Sequence, residues 1–370
     1  MRVLIAPDKF KGTLTAVQVA KAIRTGVKSV QPDAETELCP VADGGDGTAE
    51  TLFVAMGGRR STAMVSGPLG APVEAPVYLL KDGRAVIEMA QASGLALLGG
   101  DRDPLGASSF GTGELIVAAL EQLPTGGEVL VAIGGSASTD GGTGAARALG
   151  WRFVDSSGRD LALGGAALVD LNRIEPPGDA VSATVTGISD VDNPLLGPTG
   201  AARVFAPQKG ADADEVALLE RGLEVLAGRI ETDIGLEVSS IPGAGAAGGM
   251  GAGVIAFFGG RLRPGFEAVA SAVGLKEAIA RADVVVTGEG SLDQQSLAGK
   301  APIGVSRMAA GAGVPCLAIA GRVYLEPAQL AEAGMSRAFD LVAEIGERRA
   351  LQDPVAAVSE GAAALLRDWP

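Results

Sequence analysis

The chain has 370 residues, a formal net charge of −14, 47% hydrophobic residues and 20% charged residues. That is the make-up of globular domains, about two at roughly 100–200 residues each, and an acidic chain without basic clusters is a poor partner for nucleic acid or an anionic membrane surface. It contains no histidine, which excludes a Ser-His-Asp triad, a histidine zinc site and an imidazole base, so any chemistry falls to carboxylates, lysines, a metal ion and backbone amides.

Arg2–Ala6 reads as a first strand, too short in its apolar part for a signal peptide, so the cytoplasm is the expected location. Thr15-Ala-Val-Gln18 is a capping box, and Val19, Ile23, Val27 and Val30 follow at helical spacing. Glu37–Val41 is the next strand, Asp43–Thr48 a glycine loop and Glu50–Met56 a short helix. Ser61–Val65, Val73–Leu80 and Arg84–Met89 follow hairpin grammar, with Asp82-Gly83 as a turn. Thr112–Leu123 is a helix, Glu128–Ile133 a strand, and an alanine-rich helix runs to Leu149. Trp151–Leu161 reads as a hairpin around Ser157-Gly158, and Asp212–Ile230 as a strongly periodic helix. Then come a strand at Asp283–Thr287, a helix through Met308, a strand at Pro315–Ala320 and a helix at Pro327–Ala333. A strand at Phe339–Ile345 and a helix capped by Asp353-Pro354 through Leu366 close the series. Cys39 and Cys316, far apart in apolar runs, read as half-buried strand thiols and not as a disulfide.

Strand–helix alternation at both ends predicts a parallel sheet covered by helices. The expected fold is α/β: a Rossmann-like parallel-sheet domain (residues 1–60, 105–150 and 280–370) with an inserted mixed α/β domain (61–104 and 151–279) and an interdomain cleft. Such sheets bind ligands beyond the carboxyl ends of their strands, and four polar glycine loops fall there: Pro7–Gly12, Asp43–Thr48, Gly134–Gly142 and Gly288–Asp293. The third suits an anion, since its glycines expose backbone N–H groups, a helix follows, and Ser136, Ser138 and Thr139 add hydroxyls. No Walker-type phosphate loop occurs; Gly299-Lys300 comes nearest. Gly243-Ala-Gly245-Ala-Ala-Gly248 is a literal G-x-G-x-x-G without a clear strand before it, so a glycine-rich helix start is expected in preference to a dinucleotide site. Loop carboxylates at Asp8, Asp43, Asp46, Asp140, Asp190, Asp192, Glu289 and Asp293 could bind Mg²⁺ or supply a base, and Lys9, Lys11, Arg203, Lys209 and Lys300 could offset an anion's charge.

In sequence order, these loops resemble the bacterial-type glycerate kinase family (glycerate kinase type I) over nearly the whole chain. The resemblance rests on Ala6–Gly12, Pro40–Thr48, Phe110–Ile116, Gly134–Gly142, Asp190–Pro198, Ala206–Gly210, Gly243–Gly253, Thr287–Asp293 and Gly299–Pro302. It implies an ATP- and Mg²⁺-dependent kinase acting on D-glycerate, with 2-phosphoglycerate as product. Phosphoryl transfer depends mostly on positioning and charge stabilisation, and without histidine an aspartate must take the substrate proton. Asp190 is the first candidate for that base and Asp293 the second, with Asp8, Lys11 and Lys209 as further catalytic candidates. Gly135, Ser136, Ser138, Thr139, Gly290 and Lys300 are candidates for ATP, and Asp43, Asp46, Asp192, Asn193 and Gln208 for glycerate. Glu289 and Asp293 are the candidates for Mg²⁺. The chain departs from the family at Ser291, where arginine is common, and at Thr139, where asparagine is common; Lys9 is the local cation that could replace the arginine. Three other readings stay open: a kinase of another small hydroxy acid, a nicotinamide-dependent dehydrogenase and a non-catalytic binding protein. The sequence also admits a homo-oligomer.

Overall fold

The computed structural model describes residues 1–178, 184–297, 300–367 and 369, so Gly299 of the Gly299–Pro302 motif lies outside the described residues. Its strands in chain order are β1 (Arg2–Ile5), β2 (Glu35–Leu38), β3 (Gly58–Ser66), β4 (Pro72–Leu80), β5 (Ala85–Glu88), β6 (Glu128–Ala132), β7 (Arg152–Val154), β8 (Arg173–Glu175), β9 (Thr184–Ile188), β10 (Arg261–Arg263), β11 (Val284–Leu292), β12 (Cys316–Val323) and β13 (Arg337–Asp340). They fall into two compact units, residues 1–43, 50–56 and 265–370 in the first and 44–49 and 57–264 in the second.

The first unit is built on a parallel five-stranded sheet ordered β13-β12-β11-β1-β2. Numbered within the unit, that is the doubly wound order 2-1-3-4-5. Alternation along β1 sends Val3 and Ile5 to one face and Leu4 and Ala6 to the other, and all four are buried. The first face packs on helices Ala16–Val30 and Pro354–Leu366 through Val19, Ile23, Val27 and Val358. The second packs on helices Gly265–Ala272, Leu275–Ala280 and Ala301–Gly311. Capping is as the residues suggest: Thr15 and Gln18 form the capping box, and Asp353 accepts from the Ala356 N–H at 3.1 Å. Cys39 and Cys316 are free thiols buried in the second-face core, and burial pushes both up to about 12.

The second unit carries a mixed six-stranded sheet ordered β10-β9-β6-β5-β4-β3, parallel from β5 to β10 and antiparallel from β3 to β5. The β4–β5 turn contains Gly83 at φ +89°, a conformation suited to glycine. Helix Ala213–Ile234, capped by Asp212 with Glu215, buries Leu219, Leu223, Leu226 and Ile230 in this unit's core.

Several expectations are corrected. Residues 105–150 belong to the second unit, because β6 is hydrogen-bonded between β5 and β9; strand–loop–helix grammar does not say which sheet a strand joins. Residues 265–279 belong to the first, where Phe266, Ala270, Leu275 and Ile279 cover its second face. Glu37–Val41 becomes β2 at Glu35–Leu38, in register with Arg2–Ile5. β7 pairs with β8, and the turn at Ser157-Gly158 returns only to a single bridge between Val154 and Asp160. β13 ends at Asp340, whose carboxylate caps helix Leu341–Ile345 through the Ala343 N–H at 2.8 Å.

Gly26 lies where the helices Ala16–Val30 and Pro354–Leu366 touch: a Cβ there would sit 2.0 Å from the Ser359 carbonyl and 2.8 Å from Ala362 Cβ. Gly26→Ala should therefore destabilise the protein by about 1–3 kcal/mol. Gly228→Ala, with open space around a helical position, should stabilise it by up to about 1 kcal/mol. Thermal or urea unfolding of the two variants should give shifts of opposite sign.

Candidate functional site

In the first unit the strand order reverses direction between β1 and β11, the point where doubly wound sheets open a crevice beyond their carboxyl ends. Asp8 stands there, its N–H donating to the Gly288 carbonyl at 2.8 Å. Its buried carboxyl is pushed up to about 7, first by desolvation and then by the Asp43 charge, against the pull of Lys9. Glu289 is likewise buried and raised to about 7; desolvation dominates, Ser296 and Lys300 oppose it, and Asp293 and Asp43 reinforce it. Lys9 Nζ lies 3.6 Å from Asp43 Oδ1, and Lys300 Nζ lies 4.0 Å from Glu289 Oε2 and 3.8 Å from Asp293 Oδ1. Asp293 also accepts from the N–H groups of Gln295 and Ser296. The structure thus brings together Asp8, Lys9, Asp43, Glu289, Gly290, Asp293 and Lys300, whereas Lys11 turns an exposed residue outward beside them.

Gly288–Leu292 is not the expected loop but the continuation of β11, laddered to β12 as far as Val323. Its glycines answer a close approach: a Cβ on Gly288 would stand 2.4 Å from the Ile319 carbonyl, and one on Gly321 2.5 Å from the Gly290 carbonyl. Glu289 is therefore held by a strand, which fixes its direction more firmly than a loop would. Its Oε1 is buried without a hydrogen-bond partner. Among the described residues, no three acidic or cysteine side chains converge as a metal cage.

In the second unit the parallel strands β5, β6 and β9 send their carboxyl ends to one edge. The loop after β6 is organised by two buried charges. Asp140 accepts from Ser109 N and Oγ at 2.8 Å, Gly142 N and Gly144 N at 3.2 Å, and Ser108 Oγ at 3.4 Å. Lys209 donates to Ser136 Oγ at 3.0 Å and to the Ser138 carbonyl. Burial pushes its amine down to about 7, while Asp140 pulls it back up.

Gly135 is exposed, with its carbonyl accepting from the Leu95 N–H at 2.9 Å, Ser136 is bonded to Lys209, and Ser138 and Thr139 are fully buried with unpartnered hydroxyls. Gly243–Gly248 is not a dinucleotide loop. It packs on the loop after β6, where a Cβ on Gly248 would stand 2.1 Å from the Ser138 carbonyl; Ala247, at φ +55°, shares the left-handed turn.

Asp190 and Asp192 are exposed on the loop after β9, and Asn193 donates to the Thr199 carbonyl at 2.8 Å. Gln208 is exposed, its carbonyl accepting from Arg102 at 3.0 Å. Asp46 lies against Gly135, whose hypothetical Cβ would come within 2.6 Å of Asp46 Oδ1.

Two buried acids escaped the sequence reading. Glu88 ends β5 and accepts from the Ala49 N–H at 2.7 Å. Glu220 accepts from the Gly197 N–H at 2.8 Å, with Arg203 Nε 3.4 Å away, and so ties down the loop that carries Asp190. A lone carboxylate inside the wholly buried run Ala85–Met89 was the available signal for Glu88.

Glycine loops, buried acids and lysines at the carboxyl ends of parallel strands define an α/β protein that handles a small charged ligand. The chain belongs to the glycerate kinase family, whose profile matches residues 3–370. It is 46% identical over 350 residues to a glycerate kinase of Halalkalibacterium halodurans, covering 93% of this chain and 91% of that one. It is 42% identical over 351 residues to a glycerate 2-kinase of Escherichia coli, covering 94% and 92%. A crystal structure from Salmonella typhimurium, provisionally assigned as glycerate kinase 2, superposes with a TM-score of 0.87 at 39% identity, covering 99% of this chain and 97% of that one.

The raised carboxyls set a pH dependence. The folded state keeps protons on Asp8 and Glu289 up to about pH 7, whereas the unfolded chain releases them near 3.8 and 4.5. The unfolded state binds fewer protons in that window, so stability should fall as pH rises from about 4 to about 7. Asp8→Asn should flatten this slope and raise stability at pH 8, read by urea unfolding at several pH values without added divalent cations.

Proposed function

We propose that the chain is an ATP-dependent glycerate kinase of the cytoplasm that phosphorylates D-glycerate at its 2-hydroxyl, giving 2-phosphoglycerate and ADP. The observation that carries this reading is the end-to-end likeness to chains named glycerate kinase and glycerate 2-kinase. The physical layout supports it. Phosphoryl transfer needs groups that position reactants and neutralise charge, and both sheets present such groups at their carboxyl edges.

In this reading Glu289 and Asp293 hold Mg²⁺, and the unpartnered Glu289 Oε1 is a donor suited to it. When bound, the ion neutralises charge on the phosphate oxygens. Lys300, at the N-terminus of helix Ala301–Gly311, and the Gly290 backbone serve the nucleotide. Gly135 and Ser136 offer N–H and hydroxyl groups to a phosphate. Lys209, buried behind them, holds Ser136 in place and does not reach out to solvent itself. The buried hydroxyls of Ser138 and Thr139 stand behind that surface. Asp43, Asp46, Asp192, Asn193 and Gln208 are assigned to glycerate, and Lys11 to an anionic group. Asp190, exposed at the carboxyl end of β9, accepts the hydroxyl proton, and Asp8 is the carboxylate adjoining the nucleotide's charge.

Purified protein with MgATP and D-glycerate should release ADP in a coupled assay, and L-glycerate, omission of acceptor or EDTA should abolish release. Phosphorus NMR of the products should show 2-phosphoglycerate; 3-phosphoglycerate would overturn the position assigned, and acceptor-independent release the function. Asp190→Asn should lower kcat by at least about 10²-fold, the usual worth of a positioned base; near-native turnover would remove Asp190 from that role.

A further inference from the structure

The segment Gly44–Ala49 belongs to the second unit and lies against the start of the loop after β6. A Cβ on Gly134 would stand 3.0 Å from Gly45 Cα, and one on Gly135 2.6 Å from Asp46 Oδ1. The two loops therefore meet glycine against glycine, close enough that Asp46 shares its surroundings with the exposed Gly135 backbone. Something must hold Gly44–Ala49 in that position, since Gly44 and Gly47 both adopt positive φ and contribute no side chain.

The holding group is a carboxylate from below. Glu88 is the last residue of β5 and pairs with Ala132, the last residue of β6. It is 5% exposed. Its Oε1 accepts from the Ala49 N–H at 2.7 Å, and Gly47 N–H and the Gln91 side chain also donate to the carboxylate. The Ala49 N–H is one of the donors left unpaired where a helix begins, and the Glu88 carboxylate satisfies it. Within the loop, Thr48 Oγ donates back to the Gly45 carbonyl at 2.6 Å and closes the turn that presents Asp46.

We propose that Glu88 is a positioning residue for the reaction: it fixes the Gly44–Thr48 loop so that Asp46 is held for the hydroxy acid directly beside the Gly135 backbone assigned to the phosphate. This rests on the functional reading above. Glu88 touches no reactant; its effect passes through Asp46.

A double-mutant cycle tests this. Asp46→Ala and Glu88→Ala should each raise KM for D-glycerate about tenfold or more, with a smaller change in kcat and in KM for ATP. If Glu88 acts through Asp46, the double variant should be little worse than either single one, because coupled residues are non-additive. Effects that multiply to about a hundredfold would overturn the proposal, since independent sites add in free energy. So would an unchanged KM in Asp46→Ala. Should Glu88→Ala fail to fold, Glu88→Gln, which keeps the volume and one acceptor, is run in the same cycle with the same two outcomes. Wild-type protein without glycerate-dependent turnover would defeat the functional reading; turnover with additive effects would defeat only the role of Glu88.

Discussion

Buried charge is the constraint on which the second unit's loops depend. Asp140, Lys209, Glu88 and Glu220 are all nearly inaccessible, and desolvating an ionised group is costly unless it is hydrogen-bonded. Each finds partners among loop atoms: backbone N–H groups for the acids, a hydroxyl and a carbonyl for the lysine, although Glu220 Oε2 stays buried without a hydrogen bond. The satisfaction is mutual, because the loops have few hydrogen bonds of regular secondary structure to define them. Removing Asp140 would therefore leave several buried donors without partners, at about 1–3 kcal/mol each.

Glycine is the counterpart of this arrangement. The loops around the sheet's carboxyl edge pass so close that a Cβ would strike backbone: Gly245 against Pro194, Gly248 against Ser138, Gly251 against Gly243. Such clashes cannot be relieved by turning a side chain, so these positions are fixed by geometry and not by flexibility. The high glycine content of the chain has its explanation here and in the paired backbones of β11 and β12.

Much of the fold was legible because it rests on local signals. Caps at Thr15 and Asp353 and the period of helix Ala213–Ile234 appear where the residues suggest. What was illegible depends on partners distant in sequence. Nothing around Glu128–Ala132 states that β5 and β9 are its neighbours, and β11 looks finished at Thr287 until β12 is seen alongside it. The same holds for the site. Asp8, Glu289 and Lys300 stood out through glycine punctuation, and the structure gathers them. Glu88 and Glu220 carry no such punctuation; each is an acid in an apolar strand or helix, and its purpose is visible only when the loop it binds is in place.

The two thiols have a practical consequence. Cys39 and Cys316 sit in one apolar layer, both raised to about 12, so at neutral pH almost none of either is thiolate, the form that alkylating agents and oxidants attack. The native fold is thereby shielded from electrophiles and peroxide. Since no other cysteine exists in the chain, alkylation reports opening of the first unit's core alone, giving the protein an intrinsic clock for local unfolding with no engineered label.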